Sequence, residues 1–275
     1  MNYSDKYKEY LDSFETFLKK YFDNLSGIEP GILEAVKYSL FSGGKRVRPV
    51  IMLAVYELCG GKEKAIYNFA AAIEMIHTYS LIHDDLPCMD NDFIRRGKPC
   101  NHVVYGENIA LLAGDALLTC AFEVASDTLS GTISSKKVLK SINILSKYAG
   151  MAGMISGQCF DLKWDCKSKS KDELLKIYTL KTAKLMAASA KIGAILSGAS
   201  DEKVNLAEKF GENIGICFQL VDDIIDKETG NLSLFESPEK LVHTLTCNAK
   251  KNLESIGGNI GFLNEFVDKL MVRKK

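Results

Sequence analysis

Residues 65–92 read AIYNFAAAIEMIHTYSLIHDDLPCMDND, and residues 214–226 read IGICFQLVDDIID. The first run is apolar almost all round as far as Ile82, and the second from Ile214 to Val221. A helix without a polar face belongs at the centre of a core. Each run leads directly into a pair of aspartates, so two central helices are expected to deliver acidic clusters.

Outward from these two segments the pattern stays helical. Apolar residues recur three and four positions apart, as in Leu11, Phe14, Phe17, Leu18, Tyr21 and Phe22, and no stretch alternates like a strand. The five prolines fall at expected helix edges or in loops: Pro30 and Pro238 open helices, Pro49 follows a basic turn, and Pro87 and Pro99 bracket a loop. About ten to twelve helices are expected, joined by turns rich in Gly, Ser or Asn. The reading is an all-α, single-domain bundle over residues 1–275.

Composition removes several function classes. Lys plus Arg and Asp plus Glu both number 35, so the net charge of zero argues against a general nucleic-acid binder. Anion binding must then come from local clusters. The start, MNYSDKYKEYLDSFETFLKKYF, is polar and amphipathic rather than a basic segment leading into an apolar signal core. The apolar runs are short and interrupted by Glu74, His77 or Gln219, so no membrane span is expected. Eight cysteines lack paired spacing, and Cys59, Cys120, Cys159 and Cys217 sit in apolar stretches. Free, buried thiols and a reducing cytoplasm follow.

The first acidic cluster comprises Asp84, Asp85, Asp90 and Asp92, and the second Asp222, Asp223 and Asp226. Asp222 and Asp226 stack one helical turn apart, and helix C-termini are already negative. Both effects are unfavourable without a cation. Oxygen-only donors select a hard ion such as magnesium, which favours one or two carboxylates plus substrate phosphates. Two acidic helix ends facing each other would clamp a diphosphate through bridging metals. One solvated helix end would explain a single cluster, but not two that each close a buried helix.

Basic residues surround these clusters. The turn SGGKRVRP offers Gly43, Gly44, Lys45 and Arg48; Arg95 and Arg96 trail the first cluster; Lys181 and Thr182 lie in IYTLKTAKLM. Arginine forks match phosphate oxygens in pairs, whereas lysine acts as a point charge. His77 lies seven residues before Asp84 and could donate into the same cavity. Taken singly, each is more often a surface cation or a core histidine, and only joint placement makes the case. The Gly-rich turn lacks Walker spacing and follows no strand.

The stretch MIHTYSLIHDDLPCMDNDFIRRGKP resembles the first aspartate-rich motif of the trans-isoprenyl diphosphate synthases, specifically the bacterial farnesyl diphosphate synthases. FQLVDDIID resembles their second motif, and GGKRVRP, GDALL, GQCFDL and LKTAKL follow in the family order, from about Leu33 to Asp226. The resemblance implies an all-helical isoprenoid synthase fold around a central cavity and a homodimer. It implies magnesium ligands at Asp84, Asp90 and Asp222, supported by Asp85 and Asp226. With Lys181, the three ligands form the implied catalytic set. Gly44 belongs to the implied substrate-binding turn; Lys45, Arg48, His77 and Arg96 would hold isopentenyl diphosphate, while Arg95, Lys181, Thr182 and Gln219 would line the allylic diphosphate side. The implied reaction is ionisation of the allylic diphosphate, attack by the alkene of isopentenyl diphosphate, and proton loss.

Tyr79, five residues before Asp84, lies about a turn and a half below the metal end. With the extra Pro87-Cys88 pair it resembles the fifteen-carbon synthases, so farnesyl diphosphate is favoured over geranylgeranyl or geranyl diphosphate. After Asp226 the chain departs from the family, because DKETGNLSLFESPEKL lacks a loop whose lysine contacts diphosphate, leaving Lys227 as the nearby candidate. Either a deletion or a segment left out of this sequence accounts for the gap. Phe93 and Cys100 are smaller departures. The rival readings are a catalytically impaired regulatory homologue and a terpene cyclase; a cyclase has no use for the Lys45, Arg48 and Arg96 set.

Overall fold

The computed structural model describes residues 2–164 and 170–272. Along the chain run α1 (Tyr3–Asp23), α2 (Pro30–Leu40), α3 (Val47–Leu58), α4 (Ile66–Asp84), β1 (Ile94–Arg95), β2 (Lys98–Pro99), α5 (Asn101–Tyr105) and α6 (Glu107–Ser126). They are followed by α7 (Ser135–Ala149), α8 (Met154–Trp164), α9 (Lys171–Ile177), α10 (Lys184–Ser197), α11 (Asp201–Asp226), α12 (Thr229–Leu232), α13 (Pro238–Ile256) and α14 (Gly261–Met271). A π turn, Tyr178–Ala183, joins α9 to α10 without a break.

Local chemistry sets many of these boundaries. Pro30 and Pro238 stand in the first turns of α2 and α13, where the missing N–H is harmless. Asn2, Ser170, Ser200 and Ser237 cap α1, α9, α11 and α13 by accepting from backbone N–H groups. Gly198 ends α10 in the left-handed conformation.

The central position expected for α4 is observed. Phe69, Ala70, Ala71, Ala72, Ile73, Met75 and Ile76 on every side of it are fully buried. It packs on α6, α3 and α10, and α10 in turn packs on α11. Phe14, Phe69 and Phe210 are among the largest fully buried side chains, each contributing about 1.5–3 kcal/mol of burial.

A buried ion network ties α1 to this centre. Arg46, in a left-handed conformation ahead of α3, donates to Glu74 of α4 at 2.8 Å, to Glu15 of α1 at 2.7 Å and to the Leu40 carbonyl at 2.6 Å.

Two architectural details differ from the sequence expectation. The helices, counting short ones, exceed twelve, because short segments such as α5 and α12 have no apolar periodicity to read. A small hairpin interrupts the all-helical architecture: Ile94 pairs with Pro99 and Arg95 with Lys98. Arg96 and Gly97 both have positive φ, the geometry of a tight two-residue turn.

The 107–130 segment, covering α6 and the 3₁₀ turn after it, is long and apolar enough to cross a bilayer by length and composition. Its Ala110, Ala113, Leu117, Ala121 and Val124 face is buried in the core, while Leu111 and Leu112 are exposed. The described cysteines are all free, but Cys159, read from its apolar neighbours as buried, is exposed.

Candidate active site

The carboxyl ends of α4 and α11 open onto one cavity of about 1180 Å³, and Asp84 and Asp222 both line it. Helix α4 ends at Asp84, whereas α11 runs one turn beyond Asp222 to Asp226. Both ends are the negative poles of their helices. Burial pushes the Asp84 carboxyl up to about 6; Lys181 opposes the shift, and Asp90 and Asp85 add to it. Asp90, expected as a ligand, does not line the cavity, though its N–H donates to the Asp84 carbonyl at 2.8 Å. Its carboxyl is also raised, first by burial, against the pull of Lys181 and with Asp92 and Asp161 reinforcing it.

Among the described residues, no three His, Cys, Asp or Glu side chains form a metal cage. The donors on offer are carboxylates on opposite helix ends, which suits an ion that takes one or two from each side and completes its shell with phosphate and water. Asp85 and Asp226, expected in support, do not line the cavity. Asp85 is buried and bonded to Arg95 at 2.6 Å, and Asp226 is exposed.

The opposite wall is cationic. Arg48, His77 and Arg96 line the cavity together. The Nε of Arg48 is buried without a hydrogen-bond partner. Burial brings the Arg48 guanidinium down to about 10, with Glu74 opposing and Arg96 adding to the shift. His77 is held well below the usual imidazole range, first by burial and then by repulsion from Arg48, Arg96, Arg46 and Arg95. An anion placed here would relieve that repulsion and supply the missing partner of Arg48.

Gly44, expected to bind substrate, does not line the cavity but packs behind this wall. Arg96 donates to the Gly43 carbonyl, and a Cβ on Gly44 would meet the Arg96 guanidinium at 3.0–3.1 Å. Gly44 also has φ +128°, which only glycine adopts readily. Lys45 is exposed and lines a separate groove with Tyr7 and Phe266, while its carbonyl accepts from the Tyr7 hydroxyl. Arg95 lines the cavity but is already committed to Asp85 and, at 3.1 Å, to Asp92.

The π turn supplies the third wall. Lys181, Thr182 and Gln219 line the cavity together. Lys181 donates to Asp161 of α8 at 2.7 Å, and Thr182 donates to the Gln219 carbonyl oxygen at 3.0 Å. Two glycines let neighbouring helices touch the turn. A side chain at Gly157 of α8 would collide with the backbone of Leu180 and Lys181, and one at Gly215 of α11 with Ala183. A π turn offsets the side-chain register by one position, a device common at functional sites.

Tyr79 also lines the cavity, and burial pushes its phenol up to about 12. It meets the ring of His83 edge-on at 5.7 Å. His83 occupies the space that a side chain at Gly114 would need, and its Nε2 lies 3.1 Å from the Leu111 carbonyl. Leu118, Met154 and Ile155 add apolar surface to the same cavity.

Several residues that shape the site were not singled out from sequence. Asp161 had a readable signal, lying four residues after Gly157 and so near the same helix face. Glu74 had one too, since a lone acid inside an apolar helix demands a buried partner. Arg46 had none, being one cation among three in its turn.

A polyprenyl synthetase family model matches residues 29–261. Over 199 residues the chain is 51% identical to the heterodimeric geranylgeranyl pyrophosphate synthase large subunit 1, chloroplastic, of Arabidopsis thaliana, covering 71% of this chain and 54% of that protein. The chain thus spans about half the length of that curated relative, and 61% of the geranylgeranyl pyrophosphate synthase 3 of the same plant. Among solved structures, a geranyltransferase from Legionella pneumophila superposes with a TM-score of 0.92 at 32% identity, covering 98% of this chain and 96% of that one. An FPP/GFPP synthase from Zymomonas mobilis gives 0.91 at 30% identity, covering 98% and 99%.

Proposed function

We propose that this chain, which belongs to the polyprenyl synthetase family, condenses isopentenyl diphosphate head to tail with short allylic diphosphates. The supporting observation is one cavity lined by Asp84 and Asp222, by a cationic wall of Arg48, His77 and Arg96, and by Lys181, Thr182 and Gln219. Two walls of donors suit two diphosphates, which a terpene cyclase would not need.

Asp84, Asp90 and Asp222 would hold magnesium, which when bound supplies charge neutralisation at the allylic diphosphate. Lys181 and Thr182 hold that diphosphate as its C1–O bond breaks and the bonding pair departs with it. Arg48, His77 and Arg96 hold the second diphosphate so that the alkene of isopentenyl diphosphate faces the cationic carbon. The alkene pair forms the new carbon–carbon bond, and a C2 proton passes to the released diphosphate. Apolar Leu118, Met154 and Ile155 keep water from the cation.

The product reading is farnesyl diphosphate, supported by the phenol of Tyr79 in the cavity lining. The relatives' names divide between twenty-carbon and shorter or mixed products. Purified protein with magnesium, labelled isopentenyl diphosphate and dimethylallyl or geranyl diphosphate should yield a fifteen-carbon product, and Tyr79→Ala should lengthen it. Twenty-carbon product from the unmodified chain would overturn the length reading.

A homodimer is part of the same reading. Val103 and Val104 of α5 and Leu111 and Leu112 of α6 present exposed apolar groups that a second copy would cover. Leu112→Asp should convert a sedimenting dimer to monomer.

The short connection after α11 favours a second reading, a binding subunit without turnover. Lys227 caps α11 in a left-handed conformation, and the chain passes through α12 directly to α13. Absence of any product from well-folded protein would select this reading.

A further inference from the structure

Asp223 follows a proposed metal ligand but does not line the cavity. It is 4% exposed and satisfied by neutral donors. The Tyr178 hydroxyl donates to one of its oxygens, Asn231 Nδ2 donates to the same oxygen at 2.9 Å, and Gln219 Nε2 donates to the other at 3.2 Å.

These bonds have a directional consequence. With its NH₂ donating to Asp223, Gln219 turns its carbonyl the other way, toward the cavity side. That carbonyl accepts from Thr182. Tyr178 and Thr182 are the first and fifth residues of the π turn, and Lys181 lies between them. Asp223 thus grips the turn at Tyr178 directly and at Thr182 through Gln219. Asn231 arrives from α12, in the connection between α11 and α13.

We propose that Asp223 is a positioning residue for the condensation rather than a metal ligand, and that Asn231 completes its hydrogen-bond shell. It fixes the π turn and the Gln219 amide, and so sets where Lys181 and Thr182 meet diphosphate. The connection after α11 thus contributes an amide behind the site. The proposal rests on the diphosphate site described under Proposed function.

The test compares Asp223→Asn, Tyr178→Phe, their double variant and Asp222→Asn in the full chain. Calorimetry with inorganic pyrophosphate in excess magnesium reads the anion site, and thermal-shift titration with magnesium at fixed pyrophosphate reads the metal. Asp223→Asn should weaken pyrophosphate binding about five- to twentyfold, with the magnesium midpoint within about twofold of the parent. The double variant should be no worse than Asp223→Asn alone, because both changes break one network. Conversion of Asp223 to Glu should restore part of the affinity.

A magnesium midpoint displaced as far as in Asp222→Asn would make Asp223 a ligand and overturn the proposal. Unchanged pyrophosphate affinity, or additive effects of Asp223→Asn and Tyr178→Phe, would also overturn it. Both readouts are independent of turnover, so an unmodified chain that binds pyrophosphate without making product refutes the enzyme reading and leaves this comparison decisive.

Discussion

Lys181 in the π turn and Asp161 on α8 form an ion pair of 2.7 Å at the edge of the cavity. The pair has a purpose beyond stability, because half-exposed ion pairs contribute little to folding. It aims a flexible ammonium at the place where Asp84 and Asp90 feel its field.

Asp161→Asn should therefore lower turnover more than it lowers the melting temperature. A charge-assisted hydrogen bond is worth about 1.5–3 kcal/mol, or roughly ten- to a hundredfold in rate if expressed in the transition state. Steady-state kinetics with geranyl diphosphate beside a thermal melt separates the two effects. A fall in melting temperature with unchanged kcat would contradict this role.

The raised Asp84 carboxyl makes a pH prediction for protein kept in a chelator. A group bound more tightly to its proton when folded stabilises the fold at low pH and loses that contribution as pH rises through about 6. At pH 7.5 the ionised form costs up to about 3 kcal/mol. Asp84→Asn should accordingly raise the melting temperature at pH 7.5, make no difference near pH 4, and abolish turnover. A destabilised Asn variant at pH 7.5 would show that the carboxylate is compensated without metal.

Arg46 and Glu74 make a stability prediction. Both side chains are almost completely buried, at 1% and 2% exposure, so removing one charge strands the other. Arg46→Met should cost about 3–5 kcal/mol in denaturant melts, and the double variant Arg46→Met/Glu74→Leu should recover much of it. Failure of the double variant to recover any stability would place the cost in the Arg46 bonds to Glu15 and Leu40 instead.

His77 should behave as an anion sensor. Burial and the surrounding guanidiniums keep it neutral in the free protein well below its usual pKa. A bound anion offsets those charges, so the imidazole pKa should rise and binding should take up protons. Proton-detected NMR of the imidazole before and after pyrophosphate reads the change, as does buffer-dependent binding enthalpy. A pKa unmoved by saturating pyrophosphate would exclude His77 from the anion wall.

The parts of this architecture that announce themselves in sequence share a property: they are contiguous. The apolar run to Ile82 and its terminal Asp84 can be read as a buried helix with an acidic tip, and Asp222 repeats the pattern on α11. The convergence of these tips on one cavity follows from their burial. What escaped was chosen by contacts between distant segments. Tyr178 and Asp223 are ordinary until the π turn and α11 pack together, and no pattern marks Asn231 as their partner. Lys45 shows the converse, since it looks the equal of Arg48 in sequence yet lies in another groove. The π turn has no sequence code, because its extra residue is accommodated by Gly157 and Gly215 on flanking helices.

The two-residue hairpin sends adjacent arginines to different partners. Arg95 reaches Asp85 and Asp92, whereas Arg96 reaches the carbonyl of Gly43. Inserting or deleting a single residue between Ile94 and Pro99 would break the register that delivers each guanidinium to its partner. Length at this hairpin is therefore under far stricter constraint than residue identity in its exposed positions, and related chains should tolerate substitution of Lys98 while almost never carrying a gap there.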